Sequence, residues 1–275
     1  MAVRFDEKEV KGVSCTRHVY KETEGRKLDL LLALPKTFPA GCAFFIHGGG
    51  WRGDGPERLE PHARYAALRG FVGASISYRL LDESTKTDVR DGLADCLDAL
   101  AFVRSRMREK YGDLPTAAIG DSAGGYYAAC LGCRKIIREV RPEIPRADFV
   151  VDLNGIVDLT GKWGYGILGK PSDREEKAQI ERRFSPLFCV SEGDAPALIL
   201  HGDKDKTVAL SDAVAYGGAL TAAGVENRLR VLEGAAHAFI LFDYHHDNGY
   251  VARVLESVMD ALSVRFPSQG PHSEK

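Results

Sequence analysis

Residues 120–125 read Gly-Asp-Ser-Ala-Gly-Gly and follow the short apolar run at 116–119, Thr-Ala-Ala-Ile. A Gly-x-Ser-x-Gly sequence between a strand and a helix is typical of a nucleophile elbow, a sharp turn that exposes the serine hydroxyl where the helix begins. Glycine suits such a turn because a larger residue would clash there. The pattern predicts Ser122 as a nucleophile, with an ordinary strand-to-helix turn as the alternative.

A second glycine-rich stretch, His-Gly-Gly-Gly-Trp at residues 47–51, follows the apolar run Ala-Phe-Phe-Ile. The oxyanion of an acyl-transfer intermediate needs backbone N–H donors at about 2.7–3.1 Å, and glycine lets the main chain approach that closely. We predict that Gly49 and Gly50 donate to the oxyanion together with the N–H group of Ala123. Trp51 either borders the substrate pocket or packs the loop down. A phosphate loop is disfavoured because no Gly-Lys-Ser/Thr follows and no Gly-x-Gly-x-x-Gly opens a helix.

Two later apolar runs end in polar loops that can supply a base and an acid. Residues 197–208 read ALILHGDKDKTV, and the run at 228–232 is followed by a loop that contains His237. Such loops meet at the carboxyl edge of a parallel sheet. We predict His237 as the general base and Asp205 as the carboxylate that orients its ring. Asp203, two residues earlier in the same loop, is the competing candidate for the acid.

Other polar residues at strand ends are predicted to be structural. His47, His201 and Tyr78 are expected to hold their loops by hydrogen bonds. A metal site made from the His and Asp residues of 201–205, or from His-His-Asp at 245–247, is disfavoured. Neither cluster has the His-x-x-x-His spacing of a helix-borne site, and serine chemistry requires no metal. No metal or cofactor is therefore predicted.

Taken together with Ser-Tyr-Arg-Leu at 77–80, these stretches resemble the α/β-hydrolases, in particular the hormone-sensitive-lipase-like carboxylesterases. The resemblance covers the chain from near residue 28 to near residue 264. It implies an α/β-hydrolase fold, with a mainly parallel twisted sheet, helices on both faces and an inserted lid. It also implies a catalytic triad of Ser122, Asp205 and His237, since the family spacing favours Asp205 over Asp203, and an oxyanion hole formed by Gly49, Gly50 and Ala123.

Two departures from this family pattern bear on specificity. Ala209 stands where the pattern usually has proline. Larger members carry a long N-terminal cap before the oxyanion loop, whereas 46 residues precede His47 here. The compact build resembles feruloyl-esterase-like and kynurenine-formamidase-like members, and it predicts a pocket that accepts short acyl groups.

We predict a single domain over residues 1–266, with a lid inserted near 155–190 and a disordered polar tail at 267–275. An antiparallel hairpin at 13–20 and 26–34 opens the sheet. The other predicted strands lie near residues 43–47, 71–78, 116–120, 147–153, 197–201 and 228–232. The predicted helices lie near residues 57–69, 88–110, 122–138, 210–223 and 249–264. This alternation is typical of a mainly parallel sheet covered on both faces.

Composition narrows the classes of partner. The 275 residues include 37 Lys and Arg and 39 Asp and Glu, so the formal charge of −2 does not favour nucleic acid or an anionic membrane. The N-terminal residues are charged and no apolar run of about 18 residues occurs, so a cytoplasmic location is expected. Six dispersed cysteines are expected to be free thiols, with Cys130 and Cys133 on one face of a single helix.

These features predict a serine hydrolase that cleaves small, short-acyl carboxylic esters through an acyl-enzyme. An aryl formamidase or a small peptidase would use the same triad, and no residue separates ester from amide chemistry. A non-catalytic ligand-binding protein of the same fold is the alternative from another class. The expected partner is a small-molecule ester, and the sequence indicates no oligomeric state.

Overall fold

The computed structural model describes residues 7–167, 174–241 and 248–267. Its strands are β1 (Cys15–Thr23), β2 (Arg26–Ala33), β3 (Cys42–Ile46), β4 (Val72–Ile76), β5 (Thr116–Asp121), β6 (Phe149–Leu153), β7 (Ala197–Gly202) and β8 (Asn227–Leu232). Its α-helices are α1 (Glu7–Lys11), α2 (Glu60–Leu68), α3 (Val89–Tyr111), α4 (Ala123–Gly132), α5 (Arg134–Val140), α6 (Arg174–Arg183), α7 (Pro186–Cys189), α8 (Leu210–Ala222) and α9 (Asn248–Arg265). Two 3-10 turns lie at Pro56–Leu59 and Gly161–Gly166.

The strands form one sheet in the order β1-β2-β4-β3-β5-β6-β7-β8. β1 pairs with β2 and β2 with β4 in antiparallel fashion, and all the other pairs are parallel. Every residue of β3 to β7 is buried, as expected for parallel strands that are covered on both faces. The mainly parallel sheet and its antiparallel opening, both predicted from the sequence, are confirmed.

Adjacent side chains of β3 enter the two separate halves of the core. Phe44 belongs to the apolar cluster that includes Leu97 of α3, and Phe45 belongs to the cluster that includes Met259 of α9. Side chains alternate between the faces of a strand, so helices must cover both sides of this sheet. The helices on both faces are thus confirmed as well.

The helix predicted over residues 122–138 is interrupted, and this prediction was wrong. Cys133 has an extended backbone (φ −96°, ψ 110°) that ends α4 and precedes α5. The Asp194 carboxylate accepts a hydrogen bond from the N–H group of Arg134 at 2.9 Å, so a contact distant in sequence fixes the start of the second helix. Cys130 and Cys133 therefore do not share one helix. Both are buried free thiols, and burial raises the pKa of Cys133 to about 12.

One carboxyl group of the central sheet makes stability depend on pH. Asp152 of β6 is fully enclosed, and burial raises its pKa from an ordinary 3.8 to about 7, although its Oδ1 accepts the Gly155 N–H at 2.7 Å. Below pH 4 the group is protonated in both the folded and unfolded chains. Between pH 4 and 7 only the unfolded chain loses this proton, so this residue lowers the free energy of unfolding as pH rises.

We therefore expect Asp152→Asn, which keeps the oxygen acceptor and cannot ionise, to gain stability relative to the wild type as pH rises from 4 to 7. The relative gain should reach the order of a few kcal/mol, since each unit of pKa shift corresponds to about 1.4 kcal/mol. Urea unfolding of both proteins at several pH values measures it. A difference in stability that stays constant with pH would contradict the assignment.

Candidate active site

Ser122 occupies a strained turn between β5 and α4. Its φ of 54° and ψ of −117° are unusual for a residue with a side chain. A Cβ on Gly120 would collide with the backbone of Gly124, and a Cβ on Gly124 would collide with the carbonyl oxygen of Ile46. The strand-turn-helix arrangement predicted from residues 116–125 is therefore present, and its glycines are required by close backbone approach. The Ser122 residue itself is 8% exposed.

His237 connects this serine to a carboxylate. Its Nε2 lies 2.9 Å from the Ser122 Oγ, and its Nδ1 lies 2.7 Å from the Asp205 Oδ2. Because an ionised carboxylate only accepts, Nδ1 must carry the proton that it donates to Asp205. Nε2 is then the basic nitrogen and can accept the hydroxyl proton of Ser122. This is the order of contacts by which a histidine activates a serine.

The Asp205 carboxylate is held for this role by its own loop. Its side chain is fully buried, and Oδ1 accepts hydrogen bonds from the N–H groups of Thr207 at 2.8 Å and Val208 at 2.9 Å. Burial opposes ionisation, but the hydrogen bond from His237 and those from the loop outweigh it and hold the pKa of Asp205 below its ordinary value. The group is thus ionised at neutral pH.

Asp203, the competing acid, has a different partner. Its Oδ1 accepts the N–H group of Gly234 at 2.7 Å, and the structure gives it no hydrogen bond to His237. Asp203 therefore ties the loop after β7 to the loop after β8. Of the two candidates, the structure brings Asp205 against the histidine.

The glycine loop after β3 lies beside the elbow in a backbone conformation that few residues adopt. Gly49, Gly50 and Trp51 have φ values of 94°, 60° and 61°. A Cβ on Gly49 would collide with the carbonyl oxygen of Gly53, so glycine is required there. The first N–H groups of a helix lack intrahelical partners, which leaves the N–H of Ala123 available to a ligand.

Three side chains fix this loop. Tyr78 Oη donates to the carbonyl oxygens of His47 at 2.8 Å and Gly48 at 3.1 Å, and the His47 ring stacks on the Tyr78 ring at 4.4 Å. His47 Nδ1 donates to the Gly48 carbonyl at 2.9 Å. The Asp121 Oδ1 accepts the Gly48 N–H at 3.0 Å. The structural roles predicted for Tyr78 and His47 are confirmed. His201 has the predicted structural role in a different loop, the one after β7, where its Nε2 donates to the Val208 carbonyl at 3.0 Å.

Asp121 is the contributor that the sequence analysis missed. It is the variable position of the Gly-x-Ser-x-Gly motif, and nothing in the motif indicates that its carboxylate reaches Gly48. Burial raises its pKa to about 6, with the Gly48 hydrogen bond acting in the opposite direction. Because Asp121 directly precedes Ser122, its hydrogen bond to Gly48 connects the glycine loop to the elbow.

Trp51 is fully buried, with an exposed fraction of 0%. Its ring makes edge contacts with Tyr126 at 5.5 Å, Tyr165 at 5.7 Å and Trp163 at 6.3 Å between ring centroids. Of the two roles considered for Trp51, this burial favours packing of the loop. Contact of its ring with substrate stays a prediction.

The segment predicted as a lid contacts two of the loops that carry candidate site residues. In its 3-10 turn Gly161–Gly166, the rings of Trp163 and Tyr165 contact Trp51 of the glycine loop. The Nζ of Lys162 donates to the carbonyl oxygen of Thr207, in the loop that carries Asp205. α6 and α7 complete the described part of the insertion. Residues 168–173 of the predicted lid and 268–275 of the predicted tail lie outside the described residues.

Within residues 7–167, 174–241 and 248–267, no group of three or more His, Cys, Asp or Glu side chains is arranged to hold a metal ion. The alternative metal cluster at 245–247 lies outside these ranges. None of the helices described has the length and apolar character needed to cross a membrane.

A mainly parallel sheet that carries a serine at a strand-turn-helix, a histidine hydrogen-bonded to that serine and to a carboxylate, and a glycine-rich loop beside them has the arrangement of the α/β-hydrolase fold. The BD-FAE family profile matches residues 28–220, and the chain belongs to this family, which is hormone-sensitive-lipase-like.

Curated relatives include esterase LipC of Mycobacterium tuberculosis, 26% identical over 228 residues, which cover 75% of this chain and 55% of the relative. A probable isoprenylcysteine alpha-carbonyl methylesterase of Oryza sativa is 25% identical over 80% of this chain and 56% of its own length. The chain thus spans about half the length of these curated relatives.

Solved structures of esterase 2 from Thermogutta terrifontis match over nearly the whole chain. Its form phosphoramylated by tabun gives a TM-score of 0.77 at 26% identity, covering 94% of this chain and 96% of that one. Its butyrate-bound form gives a TM-score of 0.76 at 26% identity, covering 95% and 98%. The fold assignment therefore agrees with the structural comparison.

Proposed function

We propose that this protein is an esterase that cleaves small, short-acyl carboxylic esters through an acyl-enzyme on Ser122. The observation that carries the proposal is the continuous chain of hydrogen bonds from the Ser122 hydroxyl through His237 to Asp205. Related proteins named as esterases support the reaction class, and esterase 2 of T. terrifontis has been solved with propionate and with butyrate bound.

In the proposed first half-reaction, Ser122 Oγ attacks the ester carbonyl carbon while His237 Nε2 takes the hydroxyl proton. The N–H groups of Gly49, Gly50 and Ala123 stabilise the negative oxygen of the tetrahedral intermediate. The bond to the alcohol oxygen then breaks, and the imidazolium returns its proton to the departing alcohol. The product is an acyl ester of the serine.

In the second half-reaction, water takes the place of the alcohol. His237 accepts a proton from water, whose oxygen attacks the acyl-enzyme carbonyl, and the carboxylic acid leaves as Ser122 regains its proton. Asp205 remains ionised throughout and stabilises the imidazolium. Neither half requires a metal or an organic cofactor.

We expect kcat/KM for 4-nitrophenyl esters to rise from acetyl to butyryl and to fall for longer chains. Each methylene that the pocket covers is worth about 0.8 kcal/mol, or roughly fourfold, and further carbons gain nothing once they reach solvent or a wall. Initial rates below the micelle concentration of each ester measure this. A steady preference for palmitoyl over butyryl would contradict the short-acyl proposal.

Ester and amide substrates are compared in the same assay. 4-Nitrophenyl acetate and 4-nitroacetanilide share an acyl group and differ in the leaving atom, and formanilide tests aryl formamidase activity. Turnover of the acetate without turnover of either amide is the result expected for an esterase. Binding of all three without any turnover would instead favour the non-catalytic alternative.

A further inference from the structure

Tyr165 reaches the oxyanion loop from the insertion after β6. A Cβ placed on Gly50 would lie 3.5 Å from the Tyr165 Oη, which is ordinary van der Waals distance. Gly50 is one of the residues whose N–H group is proposed to bind the oxyanion. The phenol therefore borders the space directly above the Gly50 backbone, where a bound ester must place part of its structure.

The neighbours of Tyr165 hold its ring in this place. The ring contacts Trp51 with 5.7 Å between centroids, and the guanidinium carbon of Arg52 lies 5.3 Å from its centroid. Trp51 itself is fully buried, so the phenol contacts one tightly packed side chain and one cation.

Glycines on both sides of Tyr165 fix the backbone that carries it. A Cβ on Gly166 would lie 2.9 Å from Val89 Cγ1 and 3.2 Å from Trp51 Cζ3, and a Cβ on Gly164 would collide with the Glu181 carboxylate. The turn is thus pressed against α6 on one side and against Trp51 on the other. The position of the ring follows from this packing.

Tyr165 remains only half-buried, in contrast to the Trp51 ring behind it. Ligand pockets are lined mainly by apolar and aromatic side chains. A fixed, partly accessible aromatic ring beside a proposed oxyanion donor therefore has the position of a residue that lines the substrate pocket. Burial raises the pKa of Tyr165, with Arg52 acting in the opposite direction, so its hydroxyl is protonated at neutral pH.

We propose that Tyr165 is a substrate-contacting residue that limits the length of the acyl group. This inference rests on the proposed esterase function. We assign Tyr165 to the acyl group and not to the alcohol for the following reason. His237 must deliver its proton to the departing alcohol, so the alcohol lies beside the histidine. Tyr165 packs against the glycine loop at Gly50, and its described ring contacts are with Trp51, Arg52 and Trp163 and not with His237, so it borders the acyl group.

The test compares wild type with Tyr165→Ala, Tyr165→Leu and Tyr165→Phe on two ester series. One series varies the acyl chain of 4-nitrophenyl esters from acetate to octanoate, and the other varies the alcohol of acetate esters. Trp163→Ala is the matched control for loosened packing of the turn, because the Trp163 ring lies 6.3 Å from Trp51 and 6.0 Å from Tyr165 between centroids and does not border Gly50. Thermal unfolding of each variant checks that it folds.

We expect Tyr165→Ala to raise the octanoate-to-acetate ratio of kcat/KM about tenfold or more, within the range that hydrophobic pockets discriminate. Tyr165→Leu should raise this ratio less, and the leucine variant provides the test if the alanine variant does not fold. Tyr165→Phe and Trp163→Ala should keep the wild-type acyl optimum, and the alcohol ranking should not change.

An unchanged acyl optimum in Tyr165→Ala and Tyr165→Leu would overturn the inference. A shift in the alcohol series alone, or an equal shift in Trp163→Ala, would overturn it too. A wild type that hydrolyses none of these esters refutes the proposed function itself, which separates the two failures.

Discussion

Replacing Ser122 with alanine should abolish ester hydrolysis and leave the protein folded. Loss of the nucleophile of a serine triad lowers kcat by a factor on the order of 10⁶. The fold should persist because the turn is set by glycine contacts and by the hydrogen bond from the Ser122 N–H to the Leu153 carbonyl at 3.0 Å, which alanine retains. Steady-state rates with 4-nitrophenyl butyrate, together with thermal unfolding, measure both effects.

Ser211→Ala is the matched control for this variant. Ser211 is exposed at the start of α8, and its hydroxyl contacts only Asp212 at 3.3 Å among the hydrogen bonds described. It should keep wild-type activity. Residual turnover of more than a few per cent in a folded Ser122→Ala protein would show that another residue attacks the ester.

Asp205→Asn should reduce kcat by about 10⁴, as expected when the orienting carboxylate of a serine triad becomes an amide. The carboxylate fixes the proton on His237 Nδ1 across 2.7 Å. An amide in its place can donate to Nδ1, which would move the ring proton to Nε2 and leave no base for the serine hydroxyl. The measurement is kcat for 4-nitrophenyl butyrate.

Asp203→Asn is the internal comparison, because it makes the same chemical change two residues away. Asp203 accepts the Gly234 N–H and has no described contact with His237, so an asparagine oxygen can replace it with only mild loss of rate. The reverse ranking of the two variants would assign the acid to Asp203.

The sequence predicted the parts of the fold that depend on local pattern. Buried apolar runs such as that at 43–46 correspond to strands, and the start predicted for the helix at 88–110 agrees with a capping box in which Asp88 and Asp91 exchange hydrogen bonds with each other's backbone. The interruption at Cys133 could not be predicted, because it depends on Asp194 from a segment 60 residues away in the chain.

The residues of the candidate site also fall into two groups, those that the sequence predicted and those that depend on contacts between distant segments. The serine and the glycine loop lie in motifs whose spacing reflects local backbone geometry, and the histidine lies in the loop after a predicted strand. Asp121 and Tyr165 carry no such signal, because their contacts with the oxyanion loop arise only when the elbow and the insertion after β6 fold against it. The choice of Asp205 over Asp203 depended on the family resemblance, and the two asparagine variants test it.

Covalent labelling by paraoxon, which also phosphorylates esterase 2 of T. terrifontis, shows directly whether Ser122 is the nucleophile. We predict one diethylphosphoryl group per chain, located on Ser122 by mass spectrometry of peptides and formed in parallel with the loss of ester hydrolysis. Ser122→Ala should take up no label. Labelling of Ser75, Ser77 or Ser191 instead, or full activity in a protein labelled at Ser122, would contradict the assignment of Ser122 as the nucleophile.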